Sequence, residues 1–367
     1  MGTLLRCVVA IGALVPACRD AASIEHAPAN LTHEAYVWQR AWTGAVREAV
    51  AAAPPELTGL RVLALEIEGG RQVWPDVVTD VLVKAGRPVT AVVRIDGSRP
   101  IADLSLEPLL GRLDEWRRAG VAVAGVEIDH DCATAALPEY AAWLRRARVP
   151  APLRWSITAL PTWAESPELA RVAGAVDELV VQVHAVRAPT LFDPRQARRW
   201  VDDFAEATAG RPFRVAVPTY RVVIDGVPLA ADPVEVAGFV RALERVPVPG
   251  LRGVVWFRLP IDADLTTWRT PTLRAAIGRR PLAPDVRVSL VERGRDVFDV
   301  VLANAGTLDA RYPALRISGD LTAADLVAGY RRAPEPARWT PPDRTLAAGT
   351  RVVIGWTTGK DLTVDAN

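Results

Sequence analysis

From Ala35 to Arg258 the chain alternates short β-branched runs with longer amphipathic stretches, and few architectures accommodate that rhythm. Eight runs can be read: Ala35–Arg40, Arg61–Glu68, Val89–Asp96, Val121–Asp129, Leu153–Thr158, Glu178–His184, Phe213–Thr219 and Gly253–Arg258. Helical patterns separate them at 104–119, 137–147, 166–175, 194–209 and 233–246, and another closes the series near 272–277. Units of about 25 to 35 residues suit an α/β fold of the (β/α)8 TIM barrel type. A doubly wound open sheet is the alternative, but the Gly-rich phosphate turn of its commonest members is absent.

The ends of these runs carry polar residues at alternate positions, which in a strand share one face. Glu127, Asp129 and Asp131 share a face in the segment Ala124-Gly-Val-Glu-Ile-Asp-His-Asp131, with Val126 and Ile128 opposite. Three carboxylates on one side of a buried strand repel each other and lose hydration unless something uses them. Glu66 pairs with Glu68 in the same way, as do Arg94 with Asp96, Arg154 with Ser156 and Thr158, Gln182 with His184, and Trp256 with Arg258. In a barrel such faces converge at the C-terminal mouth, where catalytic groups of this architecture are found. Glu127, Asp129 and Asp131 are therefore the expected catalytic group. Glu66, Glu68, Arg94, Asp96, Arg154, Gln182, His184 and Arg258 are the expected substrate contacts, and Trp38, Trp163 and Trp256 the expected stacking platforms at strand ends. His130 has the opposite parity and is expected to face the helices.

The first eighteen residues read as a targeting segment: Arg6, then the short apolar stretch Cys7 to Ala17, too brief to span a bilayer. It ends in Val15-Pro16-Ala17-Cys18, which resembles a bacterial lipobox and implies lipidation of Cys18. Residues 19–33 are then a tether, 34–280 the barrel and 285–367 a small all-β, sandwich-like C-terminal domain read from the runs at 286–291, 297–303 and 351–356. The expected location is the bacterial cell envelope, with the membrane as partner through the lipid anchor. With 44 basic against 43 acidic residues, nothing points to nucleic acid. Cys132 has no neighbours that mark it as a nucleophile, and no HExxH-type spacing marks a metal site, so neither cofactor nor metal is expected.

The acidic segment resembles the signature of the chitinase-type (family eighteen) glycoside hydrolases, Asp-Gly-x-Asp-x-Asp-x-Glu on barrel strand four. Ala124, Gly125, Glu127, Asp129 and Asp131 occupy the matching positions, with Ala for the first Asp, Glu for the second and Asp for the final Glu. That resemblance implies Asp131 as the acid that protonates the leaving oxygen. It implies Asp129 as the partner that orients a substrate N-acetyl group, which itself attacks the anomeric carbon. Across residues 35–260 the chain also resembles an uncharacterised bacterial family, domain of unknown function 3142. The stretches that carry this are Ala35-Tyr-Val-Trp-Gln-Arg-Ala-Trp42, Glu127-Ile-Asp-His-Asp-Cys-Ala-Thr134, Tyr140-Ala-Ala-Trp-Leu144, Ser156-Ile-Thr-Ala-Leu-Pro-Thr-Trp163, Val181-Gln-Val-His184 and Trp256-Phe-Arg-Leu-Pro260. Two readings follow for a carbohydrate or cell-wall glycan partner. One is hydrolysis with carboxylate acid/base chemistry at the mouth; the other is a non-catalytic glycan-binding or scaffold lipoprotein.

Overall fold

The computed structural model describes residues 30–96, 101, 104–184 and 189–366. The lipobox-like segment and Cys18 lie outside them. Eight strands form the barrel wall: β1 (Thr32–Val37), β2 (Gly59–Glu68), β3 (Val89–Ile95), β4 (Val123–His130), β5 (Arg154–Ala159), β6 (Glu178–Gln182), β7 (Phe213–Pro218) and β8 (Leu251–Phe257). Each pairs in parallel with its neighbours, and β1 pairs with both β8 and β2, so the sheet closes on itself. Among the described residues an α-helix follows each strand: α1 (Gly44–Ala51), α2 (Thr79–Ala85), α3 (Glu107–Arg118), α4 (Leu137–Arg146), α5 (Leu169–Ala173), α6 (Pro194–Ala207), α7 (Pro233–Arg245) and α8 (Thr270–Ile277). This is a (β/α)8 barrel. It includes α1 and α2, which the periodicity of the sequence does not single out.

Local chemistry sets the helix starts. Asp193 and Asp232 each accept backbone N–H groups of the first turn, from Gln196 and from Val234 and Glu235, and Pro194 and Pro233 pre-set the first helical residue. Each helix buries one apolar stripe against the outward side chains of the strands, giving one continuous core between sheet and helices.

The barrel interior is not apolar throughout. Near its N-terminal end Arg61 of β2 donates from Nε to Glu34 of β1 at 2.7 Å and from Nη2 to Glu178 of β6 at 3.0 Å, and its Nη1 bonds Glu127 of β4. Arg214 of β7 adds bonds to Glu178 and to Thr32 Oγ1. Gly253 on β8 leaves room for this, since a Cβ there would meet the Arg214 guanidinium and the Thr32 carbonyl at 2.4 Å. Burial pushes Glu127 up to about 7, outweighing the Arg61 guanidinium. Two guanidiniums, Arg61 and Arg214, thus sit among three buried carboxyl groups. Above this floor lies a thin apolar layer of Tyr36, Val92, Val180, Ala216 and Val255.

After α8 the chain continues into antiparallel structure. A six-stranded sheet contains β9 (Val286–Gly294), β10 (Val297–Asn304), β11 (Leu315–Leu326) and β12 (Arg351–Ala366) with two short strands, and a two-stranded ladder lies beside it. Its own core gathers Val300, Leu302, Leu315, Ile317, Trp339 and Ile354. Thr272 Oγ1 of α8 donates to the Thr307 carbonyl at 2.7 Å and ties this part to the barrel.

A titration follows from the floor. Folding raises Glu127 from 4.5 to about 7, so the native state holds a proton that the unfolded chain has released. Stability is therefore lost as pH rises through that window, on the order of 3 kcal/mol for this group. Denaturant melts from pH 4.5 to 7.5 should show Glu127→Gln losing less stability than wild type over the range; parallel curves would refute it.

Candidate active site

Three inward residues of β4 and its continuation stand at successive heights. Glu127 is in the floor, fully buried. Its Oε1 accepts from the Tyr36 hydroxyl at 2.8 Å. Asp129 lies one step higher and is almost fully buried. Asp131, just past the strand end, has a side chain 32% exposed. The segment thus runs from core to solvent within five residues.

Asp129 and Asp131 are held by the same two donors. Arg94 Nη1, from β3, donates to Asp129 Oδ2 at 2.7 Å and to Asp131 Oδ2 at 2.9 Å. Gln182 Nε2, from β6, is 3.5 Å from Asp129 Oδ1 and 3.3 Å from Asp131 Oδ1. Thr158 Oγ1, from β5, gives Asp129 a third bond at 2.6 Å. Burial pushes Asp129 upward against the pull of Arg94, and the Asp131 carboxylate adds to the push. Two neighbouring carboxyls therefore have unlike environments, the precondition for dividing acid and charge roles between them.

Above the pair opens a cavity of about 220 Å³. Its walls are aromatic: Tyr36 and Trp38 from β1 and its end, Phe257 from β8, and Tyr220 and His184 beyond β7 and β6. Trp38 meets Phe257 edge-on at 5.2 Å, and His184 stacks on Phe257 at 5.9 Å with 19° between planes. Burial holds His184 down to about 4, so it stays neutral at ordinary pH, and its Nδ1 has no protein partner. Among the described residues no group of three or more His, Cys, Asp or Glu is placed to hold a metal ion. Flat apolar faces with an Asp, Arg and Gln cluster below them match the two surfaces of a sugar ring, one apolar and one hydroxylated.

Residues 85–228 match the family model described as Domain of unknown function (DUF3142). The DUF3142 segment carries Arg94, Asp129, Asp131, Thr158, Gln182, His184 and Tyr220, while Tyr36, Trp38 and Phe257 lie outside it. It is shorter than the stretch over which the sequence itself resembles that family. No curated protein matches the chain. Among solved structures it is similar to the spore cortex-lytic enzyme SleL of Bacillus cereus, at 11% identity and a TM-score of 0.49 over 68% of this chain and 74% of that one. It is also similar to a family 18 chitinase from Crocus vernus, at 12% identity and a TM-score of 0.42 over 62% of this chain and 92% of that one. A thermostable chitinase domain from Pyrococcus furiosus follows, at 11% identity and a TM-score of 0.40 over 63% and 84%. These likenesses concern the barrel architecture alone.

Of the residues expected from sequence, the structure brings Asp129, Asp131, Arg94, Gln182, His184 and Trp38 to one cavity. The others go elsewhere. Glu127 is a floor residue, two positions too deep to reach the cavity. Arg154 is the first residue of β5, so it lies at the opposite end and lines a separate cavity with Glu34 and Arg214. Glu66 and Glu68 reach the rim, where Arg40 binds both. Asp96 is exposed one residue past β3. Arg258 turns to Asp264 Oδ2 at 2.7 Å and Thr266 Oγ1 at 3.0 Å.

Neither Trp163 nor Trp256 is a platform. Trp256 faces the helix layer, packs on Trp268 and donates to His33 Nδ1 at 3.2 Å; Trp163 packs on Tyr140 and donates to the Cys132 carbonyl. Both are fully buried. Tyr36, Tyr220 and Phe257 line the cavity where these tryptophans are expected from their place at strand ends. The alternation Val255, Phe257 on β8 is the signal for Phe257, masked because Trp256 is equally apolar. His130 does face the helices, edge-on to Tyr140 at 5.3 Å. Cys132 is buried, and burial lifts its thiol to about 11, which keeps it protonated and inert.

Arg94 is the only cause among these that lowers Asp129 by charge. Replacing it in Arg94→Leu leaves burial and Asp131 unopposed, so the Asp129 carboxyl should titrate at higher pH than in wild type. Carbon-13 NMR of labelled aspartates reads this; an unmoved or lower midpoint would contradict the assignment.

Proposed function

We propose that the barrel mouth binds a polysaccharide and hydrolyses it, with Asp131 delivering a proton to the leaving glycosidic oxygen. The observation that carries this reading is the pair Asp129 and Asp131, joined through Arg94 and Gln182 yet differing in burial, under aromatic walls. Asp131 is the member that solvent and substrate reach. Asp129, anchored by Thr158, is placed to orient the group that attacks the anomeric carbon. Similarity to the chitinase-type motif supports those two roles and puts N-acetylated glycans first among candidate substrates. Aromatic stacking from Trp38 and Phe257 supplies affinity, and neutral His184 offers a ring nitrogen to a hydroxyl.

One observation favours a second reading. Arg94 bonds both carboxylates, which stabilises their charged forms and works against a general acid. On that reading the mouth holds glycan without cleaving it. In either case lipid on Cys18 anchors the protein in the cell envelope, a proposal that rests on residues 1–18 of the sequence alone; release of Cys18→Ala from the membrane fraction is its check.

Reducing-end release from a glycan panel separates the two. Hydrolysis predicts turnover of at least one glycan and a fall of about 100-fold or more in kcat for Asp131→Asn. Binding without turnover, abolished by Trp38→Ala and kept by Asp131→Asn, establishes the second reading. Equal turnover by wild type and Asp131→Asn would sink the role given to Asp131.

A further inference from the structure

At about 220 Å³ the mouth cavity is smaller than the roughly 300–1,000 Å³ of sites that enclose a whole small ligand. A glycan chain held there has to leave along the surface, and the described residues offer a continuation. A second cavity of about 380 Å³ begins on the other side of Tyr220, whose side chain lines both. The groove is floored by Trp268, flanked by Arg221 and Arg269, and closed on its far side by Leu308 and Asp309 of the C-terminal β-domain.

Some of its donors lack a protein partner. The Arg269 Nε is buried without a protein partner, although Nη1 donates to the Asp262 carbonyl at 2.5 Å. Arg221 is exposed and has no acidic partner among the described residues, and the Tyr220 hydroxyl has none either. Tyr220 itself is fixed edge-on against His184 at 5.8 Å and Phe257 at 5.6 Å, so it forms a rigid step between the two cavities. The far wall is equally fixed. Asp309 Oδ1 accepts the Ala348 N–H at 2.9 Å, and Thr272 holds Thr307 two residues before it. Donors without partners beside an apolar floor fit the hydroxyls and ring faces of further sugar units.

We propose that this groove is a second glycan subsite, so that the ligand is an oligomeric or polymeric chain and the C-terminal domain completes its binding face. The inference rests on the glycan reading of the mouth and extends it. Two variants test it without touching the mouth. Arg221→Ala removes an exposed donor, and Ala230→Trp plugs the groove from an exposed position on its edge. Calorimetric titration of the full chain with N-acetylglucosamine oligomers of two and six units is the experiment. Wild type should bind the hexamer about tenfold tighter than the dimer or better. Both variants should lose most of that ratio with the dimer affinity unchanged. A hexamer-to-dimer ratio near one in wild type, or one preserved in both variants, overturns the groove and leaves the mouth standing. Binding of neither oligomer counts against both.

Discussion

Arg61 joins strands that are far apart around the barrel. Its guanidinium reaches carboxylates on β1, β4 and β6 at once, while fully buried itself. Burying such a charge is unfavourable unless every donor is satisfied, and here Nε, Nη1 and Nη2 each have a carboxylate. The arrangement fixes the relative heights of three strands across the interior. Everything above depends on those heights: if β4 moved by one residue, Glu127 and Asp129 would point into the helix layer.

Built on that floor, β4 becomes a graded column of acids. Glu127 faces the Arg61 guanidinium and burial, Asp129 faces burial and a shared arginine, and Asp131 faces solvent and the aromatic mouth. The same side-chain chemistry stands at three depths, with burial raising the pKa of both Glu127 and Asp129. A strand carrying alternate acids is thus bonded into the buried floor at one end and opens onto the mouth cavity at the other. The cation bonded to the lower acid belongs to β2; the one bonded to the upper pair belongs to β3.

Much of this was legible in the sequence, and each departure from it has a physical reason. Alternation of short β-branched runs with amphipathic stretches is enough to specify the barrel, and parity correctly turns Asp129, Asp131, Arg94, Gln182 and His184 inward and His130 outward. Parity says which face a residue occupies, not which end. Arg154 shares a face with Thr158 but begins its strand, so the barrel's length separates it from the mouth. Nor does parity have a phase where both faces are apolar: along Val255-Trp256-Phe257 only contact with β1 and Trp268 tells which residue is inside. Glu66 and Glu68 show a third limit, since Arg40, distant in sequence, determines where their carboxylates end. Tyr220 lies past the end of β7, where no periodicity applies, and so could not be placed from sequence.

The central claim is that the aromatic cavity over Asp129 and Asp131 is where a glycan lies. A crystal structure of Asp131→Asn soaked with a chito-oligosaccharide tests it most directly. A sugar ring is expected against Phe257 and Trp38, with a glycosidic oxygen beside the side chain at position 131. A sugar seated only elsewhere on the protein, with that cavity unfilled, would contradict it.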